Sequence, residues 1–273
     1  MTGPEGAAAH SSSHEPQSLA GEAFPCDTVR SVAGVDPVLA RKQAVREQAW
    51  EALKESGEER FPRAWGRIPN FAGAEQAAAR LASLPEWKEA AVVKANPDAP
   101  QLPVRARALA EGKLLYMAVP RLAAPRPFLQ LGASDAGYPR QAASIRGAQR
   151  FGKPVTVAEM RRIDLVVCGT VAVNAQGVRV GKGGGFSDLE FGLLTDAGLV
   201  DERTVLVTTV HQVQLVEGDL PETDHDFRVD LVVSPSMVLR TGPRRRPAGV
   251  LWDHLTADKI DAIPVLRDLH GTG

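Results

Sequence analysis

Residues 179–190 read Arg-Val-Gly-Lys-Gly-Gly-Gly-Phe-Ser-Asp-Leu-Glu. Gly181, Gly183, Gly184 and Gly185 free the backbone from Cβ interference, so that successive N–H groups can converge on one point. A helical pattern follows, with Leu189, Leu193 and Leu194 on one face, and Ser187 to Glu190 has the S-x-x-E spacing of a capping box. A glycine-rich turn that opens a helix is a cradle for anions, because unpaired N–H groups and the helix dipole both favour phosphate. Lys182 adds a full positive charge inside the turn. Neither familiar nucleotide fingerprint fits: no Ser or Thr follows Gly181-Lys182, and Phe186 stands where the dinucleotide motif has a glycine. The plain alternative is a flexible hairpin turn.

Carboxylates near such a turn could hold magnesium, which binds nucleotides through one or two protein carboxylates, phosphate oxygens and water. Asp188 is one candidate, and a surface acid that complements the helix dipole is its other reading. The run Glu222-Thr-Asp224-His225-Asp226 precedes a β-branched segment; it is either a solvated loop or the source of a second magnesium ligand. Lys42 and Arg46 lie one turn apart on a predicted helix, so both cations leave the same side. His211 and His225 could exchange protons near neutral pH, although ordinary hydrogen-bonded roles suit them too. Arg244-Arg-Arg246 reads as a solvated basic loop, and Trp50, Trp65, Trp87 and Trp252 read as packing anchors.

These groups must be positioned by an ordered domain, and 273 residues with 44% apolar side chains suffice for one. Residues 1–36 are rich in Ala, Ser, Gly, Pro and Glu and predict a disordered tail, leaving 37–273 as the folded unit. His10 and His14 in that tail lack the company a metal site needs. Helices are predicted over 38–54, 74–84, 104–110 and 141–149, and over 257–269 with a break at Pro264. Strands are predicted over 91–93, 113–119, 163–168, 204–210 and 229–233, with a turn at 174–177 between two short β segments. Strands alternating with helices imply an α/β fold, a layered, mostly parallel sheet flanked by helices. A net charge of -1 and 5% aromatic residues argue against a nucleic-acid partner. Two distant cysteines, Cys26 and Cys168, suit a reducing compartment. With no targeting segment and no apolar run of membrane length, a cytoplasmic protein without a membrane partner is expected; its oligomeric state stays open.

The order of these motifs resembles the 5-formyltetrahydrofolate cyclo-ligase family. The matching pieces are Lys42-x-x-x-Arg46, Arg179 through Asp188, and Asp224-His225-Asp226 with Val229-Asp230. Arg67-Ile-Pro-Asn-Phe71, Gly169-Thr-Val-Ala-Val173 and Ile263-Pro-Val-Leu-Arg267 bring it closest to the methenyltetrahydrofolate synthetase domain-containing subgroup. The resemblance spans residues 38–270 and implies a fold like that of ribose-5-phosphate isomerases and CoA-transferases. It implies ATP- and magnesium-dependent closure of 5-formyltetrahydrofolate to 5,10-methenyltetrahydrofolate, with release of ADP and phosphate. It assigns nucleotide binding to Lys42, Arg46, Arg179, the 181–185 loop, Phe186 and Ser187, with Lys182 and Arg46 catalytic. Asp188 and Asp226 would hold Mg2+, while Asp98 and Phe186 would meet the small-molecule substrate, a reduced folate. Family members carry two tyrosines where Phe186 and Ser187 stand, so the phosphate side matches while the folate side departs. Two alternatives follow from that departure: the same ATP site serving another heterocycle in thiamin-related metabolism, or a non-catalytic nucleotide- or folate-binding module.

Overall fold

The computed structural model describes residues 36–132 and 137–271. The predicted tail, with His10, His14 and Cys26, lies outside the described residues except for Asp36. The Asp36 carboxylate accepts the Val38 N–H at 2.8 Å and starts α1 (Pro37–Glu55), where Pro37 sits at a position that needs no donor. Lys42, Arg46, Ala49, Trp50 and Leu53 form its buried face, at helical spacing. A two-stranded ribbon, β1 (Glu59–Arg60) with β2 (Asn70–Phe71), leads to α2 (Ala74–Ser83) and α3 (Pro85–Glu89). The alternation then begins: β3 (Val92–Ala95), α4 (Leu102–Ala110), β4 (Leu114–Ala118) and β5 (Phe128–Leu131). Next come α5 (Pro139–Ala142), α6 (Ile145–Phe151), β6 (Lys153–Val155) and β7 (Leu165–Cys168). The hairpin β8 (Ala172–Val173) and β9 (Arg179–Val180) delivers the chain to α7 (Phe186–Asp196). The chain finishes with β10 (Val205–Thr209), β11 (Leu231–Val233), β12 (Val238–Arg240), α8 (Ala257–Ala262) and α9 (Pro264–His270).

Eight strands form one sheet in the order β12-β11-β10-β7-β3-β4-β5-β6. The five from β11 to β4 are parallel, while the edge strands are joined by antiparallel pairings: β12 to β11, β5 to β4 and β6 to β5. The expected α/β layering and mostly parallel order hold. The three edge strands escape sequence reading because they are short and polar in places, unlike the central runs, which are buried on both faces and nearly all apolar. The helix expected over 141–149 is two: α5 ends at its C-cap Ala143, and the Ser144 hydroxyl accepts the Gly147 N–H at 2.9 Å to start α6. The break at Pro264 separates α8 from α9 as expected. One apolar cluster packs α7, α8 and α9 on one face of the sheet, and a second packs α2, α4 and α6 on the other. A third cluster docks α1 onto β2, β8 and β9.

The chain leaves β3 toward β4 on one side and later returns through β7 to β10 on the other. Parallel sheets place ligands at such a switch point, outside the carboxyl ends of the strands. Asp98 follows β3 and Gly169 follows β7. They adjoin so closely that a Cβ on Gly169 would lie 3.0 Å from the Asp98 carboxylate.

Side chains alternate along β3, so Lys94 shares a face with Val92 and looks toward α7. Its ammonium pairs there with Glu190 of α7, and both side chains are almost fully buried. Arg244, Arg245 and Arg246 are not a free basic patch: they pair with Asp230, Glu222 and Asp224. Lys94→Met, which leaves the Glu190 carboxylate buried without its cation, should cost roughly 3–5 kcal/mol in urea denaturation. Lys94→Met combined with Glu190→Leu should recover most of that loss. The hydrogen bond from Arg228, with further help from Arg245, outweighs burial and holds the Glu222 carboxyl below its ordinary 4.5. A depressed carboxyl stabilises the fold above its unfolded pKa and loses that contribution as pH falls through the folded value. Glu222→Gln should therefore lower the urea midpoint near pH 7 and flatten its decline below about pH 4.5.

Candidate functional site

A cavity of about 930 Å3 opens at the switch point, large enough for two small molecules side by side. The structure brings the sequence-selected residues together around it. Lys42 and Arg46 reach it from α1, Asp98 from the turn after β3, and Arg179 through Asp188 from β9, the glycine loop and the start of α7. Asp226 closes the same wall.

The glycine loop is shaped by residues that need its freedom. Gly183 and Gly185 have φ of 104° and 65°, in the left-handed region that favours glycine. Gly185, left-handed, is itself the N-cap of α7. The capping box expected from Ser187 and Glu190 is therefore absent. Ser187 already lies within the first turn, where its hydroxyl accepts Asn96 Nδ2 at 2.6 Å, and Glu190 is committed to Lys94. Among the described residues, no backbone N–H from residue 182 to 188 donates a hydrogen bond to the protein. Seven successive donors at a helix start, unclaimed by the protein, form a nest that an anion or water must satisfy.

Cations surround this nest. Arg46 is 8% exposed; its Nε donates to the Gly181 carbonyl at 2.7 Å, and burial pushes its guanidinium down despite Asp226. Lys42 is 5% exposed and donates to the Asp226 carboxylate and to Thr223 Oγ1 at 3.1 Å. Arg179 lies under the loop, its Nη2 donating to Asp188 Oδ1 at 2.6 Å and its guanidinium 4.1 Å from the Phe227 ring centroid. Lys182 is the accessible one: its half-exposed ammonium crosses to Asp98 Oδ1 at 3.0 Å. Each carboxylate on the cavity wall thus has a cationic partner, and Asp98 is tied to the glycine loop.

Asp188 and Asp226 fit a magnesium ion by the chemistry of their oxygens. Protein hydrogen bonds fall on Oδ1 of Asp188 and Oδ2 of Asp226; among the described residues the other oxygen of each takes none. The described residues contain no group of three or more His, Cys, Asp or Glu arranged as a metal cage. Two hard oxygens beside a phosphate nest match how magnesium is held with nucleotides.

His225 also lines the cavity. Burial pushes its imidazole down while Asp226 pulls it up, and its Nδ1 lies 3.3 Å from Nδ1 of His254. His211 plays the structural part, accepting the Val213 N–H away from the cavity. Several residues at the site were not selected from sequence. Lys94 could have been, because a lysine inside an otherwise apolar strand must find a partner. Lys259 of α8 could not: only folding brings its ammonium 3.4 Å from the Gly184 carbonyl, where burial pushes its pKa down. Trp65 corrects a sequence expectation. Instead of anchoring the core it is more than half exposed at the cavity rim, its ring 5.3 Å from that of Trp50. Phe186 does line the cavity but also packs against the core beneath α7.

Comparison with known proteins adds to this geometry. The model of the 5-formyltetrahydrofolate cyclo-ligase family matches residues 38–235. The methenyltetrahydrofolate synthase domain-containing protein of Mus musculus is 39% identical over 240 residues, covering 84% of this chain and 63% of that protein. Its Homo sapiens counterpart is 35% identical over 240 residues, covering 84% of this chain and 61% of that one. The chain thus spans less than two thirds of the length of these curated relatives. The NMR structure of Aquifex aeolicus 5,10-methenyltetrahydrofolate synthetase aligns with a TM-score of 0.48 and 19% identity, over 78% of this chain and 99% of that one. The family match covers α1, the glycine loop and the Asp226 segment together, and the chain belongs to the 5-formyltetrahydrofolate cyclo-ligase family.

Proposed function

We propose that this chain is an ATP-dependent cyclo-ligase that closes 5-formyltetrahydrofolate to 5,10-methenyltetrahydrofolate. The observation that carries the reading is the row of unclaimed N–H groups from 182 to 188, bordered by Lys42, Arg46 and Lys182 and backed by two carboxylates. That is a polyphosphate site by chemistry: the donors suit phosphate oxygens, and the cations offset their charge. Membership of the cyclo-ligase family supports a folate as the second substrate.

The reaction asks mainly for positioning and charge neutralisation. The formyl oxygen, a poor leaving group, attacks the γ-phosphorus and the bond to ADP breaks. N10 then adds to the activated formyl carbon, loses its proton, and phosphate leaves as the ring closes. In this reading the loop and Arg46 hold the phosphates in line with the formyl oxygen, while Lys182 moves from Asp98 to the γ-phosphoryl group as charge develops there. Release from Lys182 frees the Asp98 carboxylate to face the folate. Asp188 and Asp226 would hold magnesium through their uncommitted oxygens, and the ion would supply charge neutralisation between the phosphates. Lys42 helps keep the Asp226 carboxylate ionised, and Arg179 fixes Asp188 in place. Trp65 at the rim offers the planar surface that the missing tyrosine pair does not.

Purified protein with Mg-ATP and 5-formyltetrahydrofolate should generate the absorbance of the methenyl product. A flat trace at stoichiometric enzyme, with nucleotide bound, would favour the same scaffold acting on another heterocycle. Lys182→Ala should weaken ATP binding by about tenfold or more in titration calorimetry, with little change in urea midpoint since the side chain is half exposed. Unaltered affinity would count against the loop as the phosphate cradle.

A further inference from the structure

The cavity carries more positive charge than a nucleotide site uses. Eight cationic side chains line it against four carboxylates, in a chain whose net charge is -1. Lys42, Arg179 and Lys182 are matched by Asp226, Asp188 and Asp98, and Arg46 stands at the loop. Of the four that remain, Arg67 stands by itself in the loop before β2, and the other three, Arg105, Arg121 and Arg146, lie toward the carboxyl end of β4 and the start of α6.

Arg105 is 1% exposed and has no ion pair among the described residues. Its Nε donates to the Ala143 carbonyl at 2.9 Å, and its Nη1 to the carbonyls of Asp98 and Asn96. Its Nη2 takes no partner among the described residues, although the residue borders the cavity. A buried guanidinium hydrogen-bonded only to neutral carbonyls, its charge offset in part by the Asp98 carboxylate that also serves Lys182, leaves a positive field at that wall. By fixing Ala143, it also fixes the adjoining start of α6, from which Arg146 reaches the cavity. Arg121 arrives by an unusual backbone: it and Leu122 have φ of 60° and 51°, left-handed in two successive non-glycine residues, with Leu122 wholly buried. Conformations of that kind persist where the surroundings hold them, often at ligand sites. Arg121 and Arg146 are both exposed, and neither side chain makes a hydrogen bond or ion pair among the described residues.

We infer that Arg105, Arg121 and Arg146 form a second anion subsite, which grips a negatively charged group on the second substrate, remote from its reacting centre. This rests on the nucleotide reading of the glycine loop and adds to it what the other half of the cavity takes. The ligand chemistry is a carboxylate or phosphomonoester joined to a heterocycle. Glutamyl carboxylates of a folate and the phosphate of a phosphorylated heterocycle are its two sources. Arg121 and Arg146 supply forked donors to the anion, and Arg105 acts from behind through its field and by holding the wall.

The test is titration calorimetry on the full chain, with and without a nonhydrolysable Mg-ATP mimic. The ligand pairs are 5-formyltetrahydrofolate against its neutral glutamyl diamide, and thiamin monophosphate against thiamin. One anionic member should bind about tenfold or more tightly than its neutral partner, and which one does so identifies the source. Arg121→Gln with Arg146→Gln should erase that difference while leaving affinity for the nucleotide mimic within about twofold. The subsite is overturned if charged and neutral partners bind alike, if the double variant keeps the preference, or if neither anionic ligand binds. Loss of nucleotide-mimic binding in the unaltered protein would instead overturn the reading of the glycine loop, because the comparison of tails is also made without nucleotide.

Discussion

Charge pairing across distant segments is the constraint on which the rest of this structure depends. The carboxylates of Asp98, Asp188, Glu190 and Asp226 border one cavity, and each is held by a cation from another part of the chain. Buried charges are costly unless paired, so each pair fixes the relative position of the two segments that supply it. Lys42 with Asp226 ties the first helix to the loop before β11. Lys94 with Glu190 ties the central strand to α7, and Arg179 with Asp188 joins the hairpin to the same helix. Together they hold the glycine loop at the switch point of the sheet.

That arrangement separates rigid from adjustable parts. The pairs beneath the loop are buried and well bonded, whereas in the pair that joins the two halves of the cavity Lys182 is half exposed and Asp98 largely buried. An ion pair with one partner open to solvent contributes less to stability than a fully buried one. In the proposed reaction the contact of Lys182 with Asp98 gives way when a phosphate enters, and it releases Asp98 toward the other half. On that proposal, binding on one side and the electrostatics of the other are coupled through Lys182.

The fold places polar chemistry on a largely apolar frame. Strands β3, β7 and β10 are buried on both faces, and their carboxyl ends turn into Asn96–Asp98, Gly169 and His211. Helix α1 lies apart from the main sheet, docked on the β8–β9 hairpin and the ribbon strand β2. Its buried face consequently ends in two cations instead of apolar residues. That is why a helix of low overall hydropathic contrast still packs in one orientation: Trp50 and Leu53 anchor one end, and Lys42 and Arg46 reach the glycine loop at the other.

Much of this was legible in the linear chain because its causes are local. Glycines at 181 and 183–185 followed by an amphipathic pattern announce a turn into a helix, and β-branched runs announce buried strands, since φ/ψ freedom and side-chain period act over a few residues. The two cations of α1, the loop and the acids at 188 and 226 could be named from residue type and family motif, and folding places them on one wall. The cap of α7 was misread, because Ser187 and Glu190 have the local spacing of a box but stronger partners, Asn96 and Lys94, come from β3 and the turn that follows it. Trp65 was misread for a similar reason: composition says aromatic residues pack inward, yet the loop carrying it runs along the cavity rim. The cation partners, the unpaired Arg105 and the approach of Lys259 were decided only by tertiary structure. Coulomb and desolvation energies depend on distances between segments, which sequence order does not contain, whereas backbone freedom and hydrophobic period are written residue by residue.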